Sequence, residues 1–215
     1  MCLDIAARAF RLAYAGLLIA RYHEGVRANY RLFAQGQPMK VPEMPREQRL
    51  RRVLICCCAV IRNVAYYRGG WRDGRPVFTS NIERTINSNF MDMAVLEWCK
   101  LFGEQRHEQQ HWQRVLTDIE QRKLFKHGLL AALKLSSRDW NAQTQGCIRY
   151  RSDFIAHLGS EPTMHAPLLD PVWQSAAFYY EFLRNREMPH VDPTDIHGFY
   201  ETHVTVGHAY YKSSI

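Results

Sequence analysis

Residues 45–70 read PREQRLRRVLICCCAVIRNVAYYRGG, and their periodicity decides the fold class. Leu50, Val53, Leu54, Cys57, Ile61 and Val64 recur at spacings of three and four, which places them on one face of a helix. Pro45 stands at its start and Gly69-Gly70 stops it. Cys56, Cys57 and Cys58 are consecutive inside this run, so on a helix they point in different directions. That arrangement suits neither a disulfide framework nor a zinc knuckle. They read as small buried hydrophobes, with Cys2, Cys99 and Cys147 alike, and imply a reducing cytoplasmic setting.

Outward from this helix the same period dominates. Residues 3–34 carry Leu3, Ala6, Ala7, Phe10, Ala13, Tyr14, Leu17 and Leu18 at helical spacing, ended by Gly36 and Pro38. Residues 71–79 read as a loop. Ser80 and Glu83 have capping-box spacing and open a helix with the stripe Ile82, Ile86, Phe90, Met93, Leu96 and Leu101, closed by Gly103. Trp112, Val115, Leu116 and Ile119 begin a helical region reaching about Leu135, with a possible break at a second box, Thr117 and Glu120. Ser136 or Ser137 opens the next helix, with Trp140, Thr144, Cys147, Ile148, Phe154, Ile155 and Leu158 as its stripe. Asp170-Pro171 and Asp192-Pro193 open the last two. No segment alternates like a strand. The expectation is an all-α, multi-helix bundle forming a single domain over 1–215, with a core at about 45–190, an N-terminal helix at 3–34 and a C-terminal helix at 193–212.

The chain has 215 residues, 47% of them hydrophobic, enough for a sizeable core. Its net charge is +7 with a pI near 9.2, which favours a polyanionic partner. Arg46, Arg49, Arg51, Arg52, Arg62, Arg68, Arg72 and Arg75 supply much of the excess, against only Glu47 and Asp73. They read either as a solvated helix face or as a phosphate-facing surface. Tyr66, Tyr67 and Trp71 sit beside some of them, as base-stacking groups would, but packing at a helix end is favoured. The N-terminal run is broken by Asp4, Arg8 and Arg11 and does not read as a signal peptide. No apolar run reaches membrane-spanning length.

Two motifs carry chemistry. The first is Arg151-Ser152-Asp153-Phe154-Ile155-Ala156-His157. Arg151 falls within an apolar stripe and needs a partner there: Asp153, another acid or a phosphate. His157 follows six residues on, roughly 120° around an ideal helix and about 9 Å along it. A straight helix does not let the two share a face. They meet one phosphate only if the helix bends or a second subunit supplies the other half. A neutral histidine takes the proton of an RNA 2′-hydroxyl and a protonated one serves the leaving 5′-oxygen, while arginine steadies the phosphate. No metal or cofactor is needed. The second motif is His107-Glu108-Gln109-Gln110-His111, a literal match to the zinc-protease pattern, but no clear third ligand follows it, Glu120 being the one candidate. Its polar flanks suit a solvated loop or helix start better. His190, His197, His203 and His208 read as surface or interface histidines.

The first motif resembles the signature of the HEPN superfamily, an arginine and a histidine with four to six residues between them. The helix ending Leu101-Phe102-Gly103, followed by His111-Trp112, is similar to the branch related to abortive-infection proteins. The resemblance implies a helical bundle that dimerises and cuts RNA without metal at paired motifs, in toxin, phage-defence or RNA-processing roles, with an antitoxin or other regulatory partner. It implies Arg151 as the phosphate-binding catalytic arginine and His157 as the acid–base group. Ser152 departs from the usual Asn, Asp or His after the arginine, with Asp153 one step later; both join the candidate site. Arg149, Arg51, Arg52 and Arg62 are the candidate RNA contacts. Non-catalytic HEPN proteins that bind or scaffold are the alternative, and a zinc hydrolase using His107 and His111 the remote one.

Overall fold

The computed structural model describes residues 44–103, 109–156, 165–190 and 194–212. The chain divides after Met44, and the unit from Pro45 onward is the one described below; the expected helix at 3–34 and Cys2 lie outside the described residues.

Helix α1 (Arg46–Gly69) is the centre of this unit. All six residues of its expected stripe are buried, and so are Cys56, Val60, Ala65 and Gly69. At 100° per residue these positions cover about 220° of the helix circumference. A helix apolar over so wide an arc needs neighbours on several sides. It has three: α2 (Asn81–Phe102), α6 (Leu169–Glu187) and α7 (Ile196–Lys212). Cys57 is fully buried, Cys56 is 6% exposed, and all five described cysteines are free thiols. Burial raises the pKa of the Cys57 thiol, which keeps it a neutral core group.

The end of α1 is fixed by a close helix crossing. A Cβ placed on Gly69 would lie 2.6 Å from the Cα of Gly207 and 2.9 Å from the backbone nitrogen of His208, both in α7. Backbone meets backbone there, so neither side has a flexible atom to yield. Gly69→Ala is expected to cost about 2–3 kcal/mol of stability, read from the urea midpoint. A variant as stable as its parent would show that α1 and α7 do not touch at this glycine.

The segment after α1 differs from the loop expected of it. Trp71–Arg72 (β1) and Arg75–Pro76 (β2) pair antiparallel, with Trp71 opposite Pro76 and Arg72 opposite Arg75. Asp73 and Gly74 have φ of 50° and 73°. Two positive φ values are what a type I′ hairpin turn requires, and Asp-Gly is a favoured pair for it. The aromatic side chains here are packed. Trp71 lies edge-on to Phe78 at 5.9 Å and its Nε1 donates to Asn87 Oδ1 at 3.1 Å.

Helix α2 starts as expected: Ser80 Oγ accepts from the Glu83 backbone and the Glu83 carboxylate accepts from the Ser80 backbone. Its buried face is another matter. Ile82 is 73% exposed and Met93 43%, while Asn87, Met91, Ala94, Val95, Trp98, Leu101 and Phe102 turn inward. The polar Asn87 hides this face from a hydrophobicity reading. It is 2% exposed, yet its amide donates to the Tyr67 carbonyl and the Tyr211 hydroxyl and accepts from Trp71. Ile86 and Phe90 instead line an apolar cleft with Tyr66, Val206 and Tyr210.

The next helical region does break, one residue away from the expected box. A short helix α3 (Trp112–Val115) precedes α4 (Ile119–Leu133), and Asp118 caps α4 by accepting from the Gln121 backbone at 2.8 Å. Ser136 caps α5 (Ser137–Tyr150). Helix α6 begins at Leu169, before the expected Asp170 cap, because the Asp170 carboxylate is engaged by Arg68 at 2.5 Å and by Trp173. At the start of α7, Asp195 accepts from the backbones of His197 and Gly198; Asp192 and Pro193 lie outside the described residues. Among the described residues the fold is all-α with one two-residue ladder, and α7 is an integral wall of the bundle through its contact with α1.

Candidate active site

Helix α5 delivers the first motif, and α2 holds α5. Trp140 packs edge-on against Trp98 at 5.7 Å and Phe102 at 5.4 Å. The Cys147 carbonyl accepts from Cys99 Sγ, and the hydroxyl of Tyr150, 2% exposed, donates to Asp92 at 2.6 Å. Burial and the adjacent Asp92 carboxylate push the Tyr150 hydroxyl above its usual pKa, so it stays a donor. The expected stripe omitted Tyr150, yet it is the anchor nearest the motif. Thr144, by contrast, has a buried hydroxyl oxygen without a hydrogen-bond partner among the described residues.

Regular α geometry stops at Tyr150. Arg151–Ala156 form a π-helical turn directly after it. Arg151, Ser152 and Asp153 are half-buried, Phe154 and Ile155 pack on the core edge, and the Phe154 ring is 5.9 Å from that of Tyr150. A π turn closes i→i+5 rather than i→i+4 hydrogen bonds, so ideal α spacing does not govern where residues beyond it point. The straight α-helix assumed for the Arg151–His157 spacing therefore does not describe positions 151–156. His157 itself lies outside the described residues, as do Leu158, Gly159 and Pro162.

The arginines sort into two kinds. Arg46 pairs with Glu187 at 2.8 Å, Arg51 with Glu47 at 2.9 Å, and Arg68 bridges Asp170 and the Tyr200 hydroxyl. Arg46 and Arg68 therefore tie α1 to α6 and α7. Arg52, Arg62 and Arg149 are exposed. One turn gathers Arg151, Ser152 and Asp153, with Arg149 two residues before it, whereas Arg51, Arg52 and Arg62 stand on another helix, α1.

The second motif ends at a helix start, one of its two expected settings, but its last histidine is buried rather than solvated. His111 is 3% exposed and caps α3: its Nδ1 accepts from the Gln113 backbone at 3.3 Å. The ring also hydrogen bonds to the carbonyls of Phe102 and Gly103, so it staples the end of α2 to the start of α3. Burial, helped by nearby Arg114, lowers its pKa from 6.5 to about 4. A ring engaged on both sides by backbone offers no lone pair to a metal. Glu120, the third ligand considered, is exposed and paired with Lys123 at 2.8 Å. His107 and Glu108 lie outside the described residues. Among the described residues no group of three or more His, Cys, Asp and Glu side chains converges as a metal site, and no helix is long and apolar enough to cross a membrane.

Of the later histidines, His190 and His197 are exposed, as expected of surface groups, and His203 and His208 are half-buried. His203 Nδ1 bonds the Phe199 carbonyl at 2.7 Å and its ring lies 5.3 Å from Tyr66, while His197 faces Glu181 and Trp173. No family model, curated protein or solved structure matches the chain.

Proposed function

We propose that the protein is a metal-independent endoribonuclease of the HEPN type, active as a homodimer in the cytoplasm. The observation that supports this reading is the π turn at Arg151–Ala156, which begins at the motif arginine and interrupts the regular α-helix there. π turns inside helices occur frequently at functional sites because they re-aim side chains. Here Tyr150 and Trp140 make the preceding helix rigid, so the re-aimed turn stands on a fixed base.

The proposed reaction needs only side chains. Neutral His157 accepts the proton of a ribose 2′-hydroxyl, and the 2′-oxygen attacks the adjacent phosphorus. The bond to the 5′-oxygen breaks, and that oxygen takes a proton from the partner's His157 in its cationic form. The products are a 2′,3′-cyclic phosphate and a 5′-hydroxyl. Arg151 holds the non-bridging oxygens as charge builds on them. Ser152 and Asp153 orient the arginine, Arg149 adds a phosphate contact, and the exposed arginines of α1 contribute to the positive field that draws RNA. A toxin-like activity of this kind implies a neutralising partner.

Single-stranded RNA incubated in excess EDTA is expected to be cut by the parent protein, with Arg151→Ala and His157→Ala each slowing cleavage by about 10²-fold or more. Gel electrophoresis of end-labelled RNA reads the rates. Cleavage that requires a divalent ion, or that survives both substitutions, contradicts the proposal. RNA bound but never cut supports the non-catalytic scaffold in its place.

A further inference from the structure

One row of α1 remains uncovered by the bundle. Arg51, Ile55, Cys58 and Arg62 follow one another at steps of four, three and four, so they share a face, with Arg51 and Arg62 about 16 Å apart along the axis. They line a cleft of about 460 Å³ whose other wall is Tyr180 and Met188, on α6 and at its end. The two ends of the cleft are cationic and its middle is aliphatic. Ile55 is 67% exposed, on the helix that otherwise forms the centre of the core. Arg51 meets only the exposed Glu47 one turn away, a pair easily exchanged, and among the described residues no carboxylate lies within ion-pair distance of Arg62.

We propose that this cleft is a docking groove for an amphipathic helix of a partner protein, one carrying acidic residues eleven positions apart with aliphatic residues between them. Charge complementarity fixes that occupant. A helix laid along α1 has the same rise per residue, so carboxylates eleven apart reach both arginines while residues four and seven places after the first cover Ile55 and Cys58. An RNA strand fits the row poorly. It carries a charge at every nucleotide, and a strand spanning both arginines would lay the intervening phosphates on Ile55 without a cation to receive them. The aromatic wall residue, Tyr180, is 4% exposed and cannot serve as a stacking platform. The groove gives a protein partner Arg51 and Arg62, which the nuclease reading counts only in the long-range field that draws RNA, and it does not use Arg151 or His157.

The probe is a fluorescein-labelled, alanine-based helical peptide with two glutamates eleven positions apart and leucines four and seven places after the first. Fluorescence anisotropy should show saturable binding to the full chain. Binding should weaken by about tenfold or more with Arg51→Glu/Arg62→Glu, because charge pairs across an interface then become repulsive. Ile55→Asp should abolish it. The peptide with lysines in place of its glutamates should bind the charge-reversed double variant better than the parent, which also shows that variant to be folded. No saturable binding, binding indifferent to these substitutions, or Arg51- and Arg62-dependent binding of single-stranded RNA with which the peptide does not compete would each overturn the proposal.

Discussion

Trp98→Ala is expected to lower the unfolding free energy by about 3–5 kcal/mol. Trp98 is fully buried in α2 and stands where α5 and α6 converge on that helix. Its ring meets Trp140 of α5 at 5.7 Å and Phe102 at 5.2 Å. Its Nε1 donates at 2.8 Å to the Ser175 hydroxyl of α6, which in turn donates to the Val172 carbonyl. Truncation removes the largest side chain in the seam and leaves a cavity that three helices cannot jointly close. It also strips a fully buried hydroxyl of its donor, a penalty separate from the lost packing. Trp98→Phe keeps part of the volume but not the N–H, so it should fall between the two, at about 1–2 kcal/mol. Urea unfolding followed by circular dichroism measures both. A Trp98→Ala loss under about 1 kcal/mol would mean that α5 is not held on α2 as described.

The second large effect is a loss of stability in acid. His111 in the folded chain titrates at about 4, against 6.5 for an ordinary histidine, chiefly because it is buried. Between those two values the unfolded chain binds a proton that the folded chain refuses. Folding therefore keeps its full stability above about pH 6.5 and loses it as the pH falls toward 4, by up to about 3 kcal/mol. The protonated ring would have to give up its bond from the Gln113 N–H, since an imidazolium has no acceptor nitrogen. His111→Asn retains a side chain that can cap α3 but does not titrate in this range. Its stability should be lower than the parent's at pH 7 and nearly flat down to pH 5. Equal slopes for parent and variant over that interval would assign the acid sensitivity to other groups.

What the sequence revealed depended on how local the cause was. The α1 stripe, the Ser80–Glu83 box and the Ser136 cap were legible because each rests on residues within one or two turns. The caps at Asp118 and Asp195 were misplaced by one to three residues, as happens where several Asp and Thr side chains compete for one helix start. The face of α2 was misread because Asn87, a polar residue, occupies a core position that only distant partners make tolerable: Tyr67, Trp71 and Tyr211. The Asp73–Gly74 turn was a readable signal, but its strands are two residues each and carry no alternation to notice. His111 looked solvated because its flanks are polar, while its burial comes from the end of α2.

At the candidate site the arginine was found from the sequence and the π turn was not. A π turn has no composition of its own. Here it starts directly after Tyr150, which is pinned to Asp92, and its Phe154 and Ile155 pack on the core edge. The identical residues read as an ordinary helix put Arg151 and His157 on different faces, a geometry that called for a bend or a second subunit. The proposed reading needs Arg151 and His157 to act on one phosphate.

The most direct test of that claim is the chemistry of the cut ends. Mass spectrometry of a single-stranded RNA digested in excess EDTA should find 2′,3′-cyclic phosphates paired with 5′-hydroxyls, because the attacking group is the ribose 2′-oxygen. Ends bearing 3′-hydroxyls and 5′-phosphates, the signature of attack by water, would contradict the account.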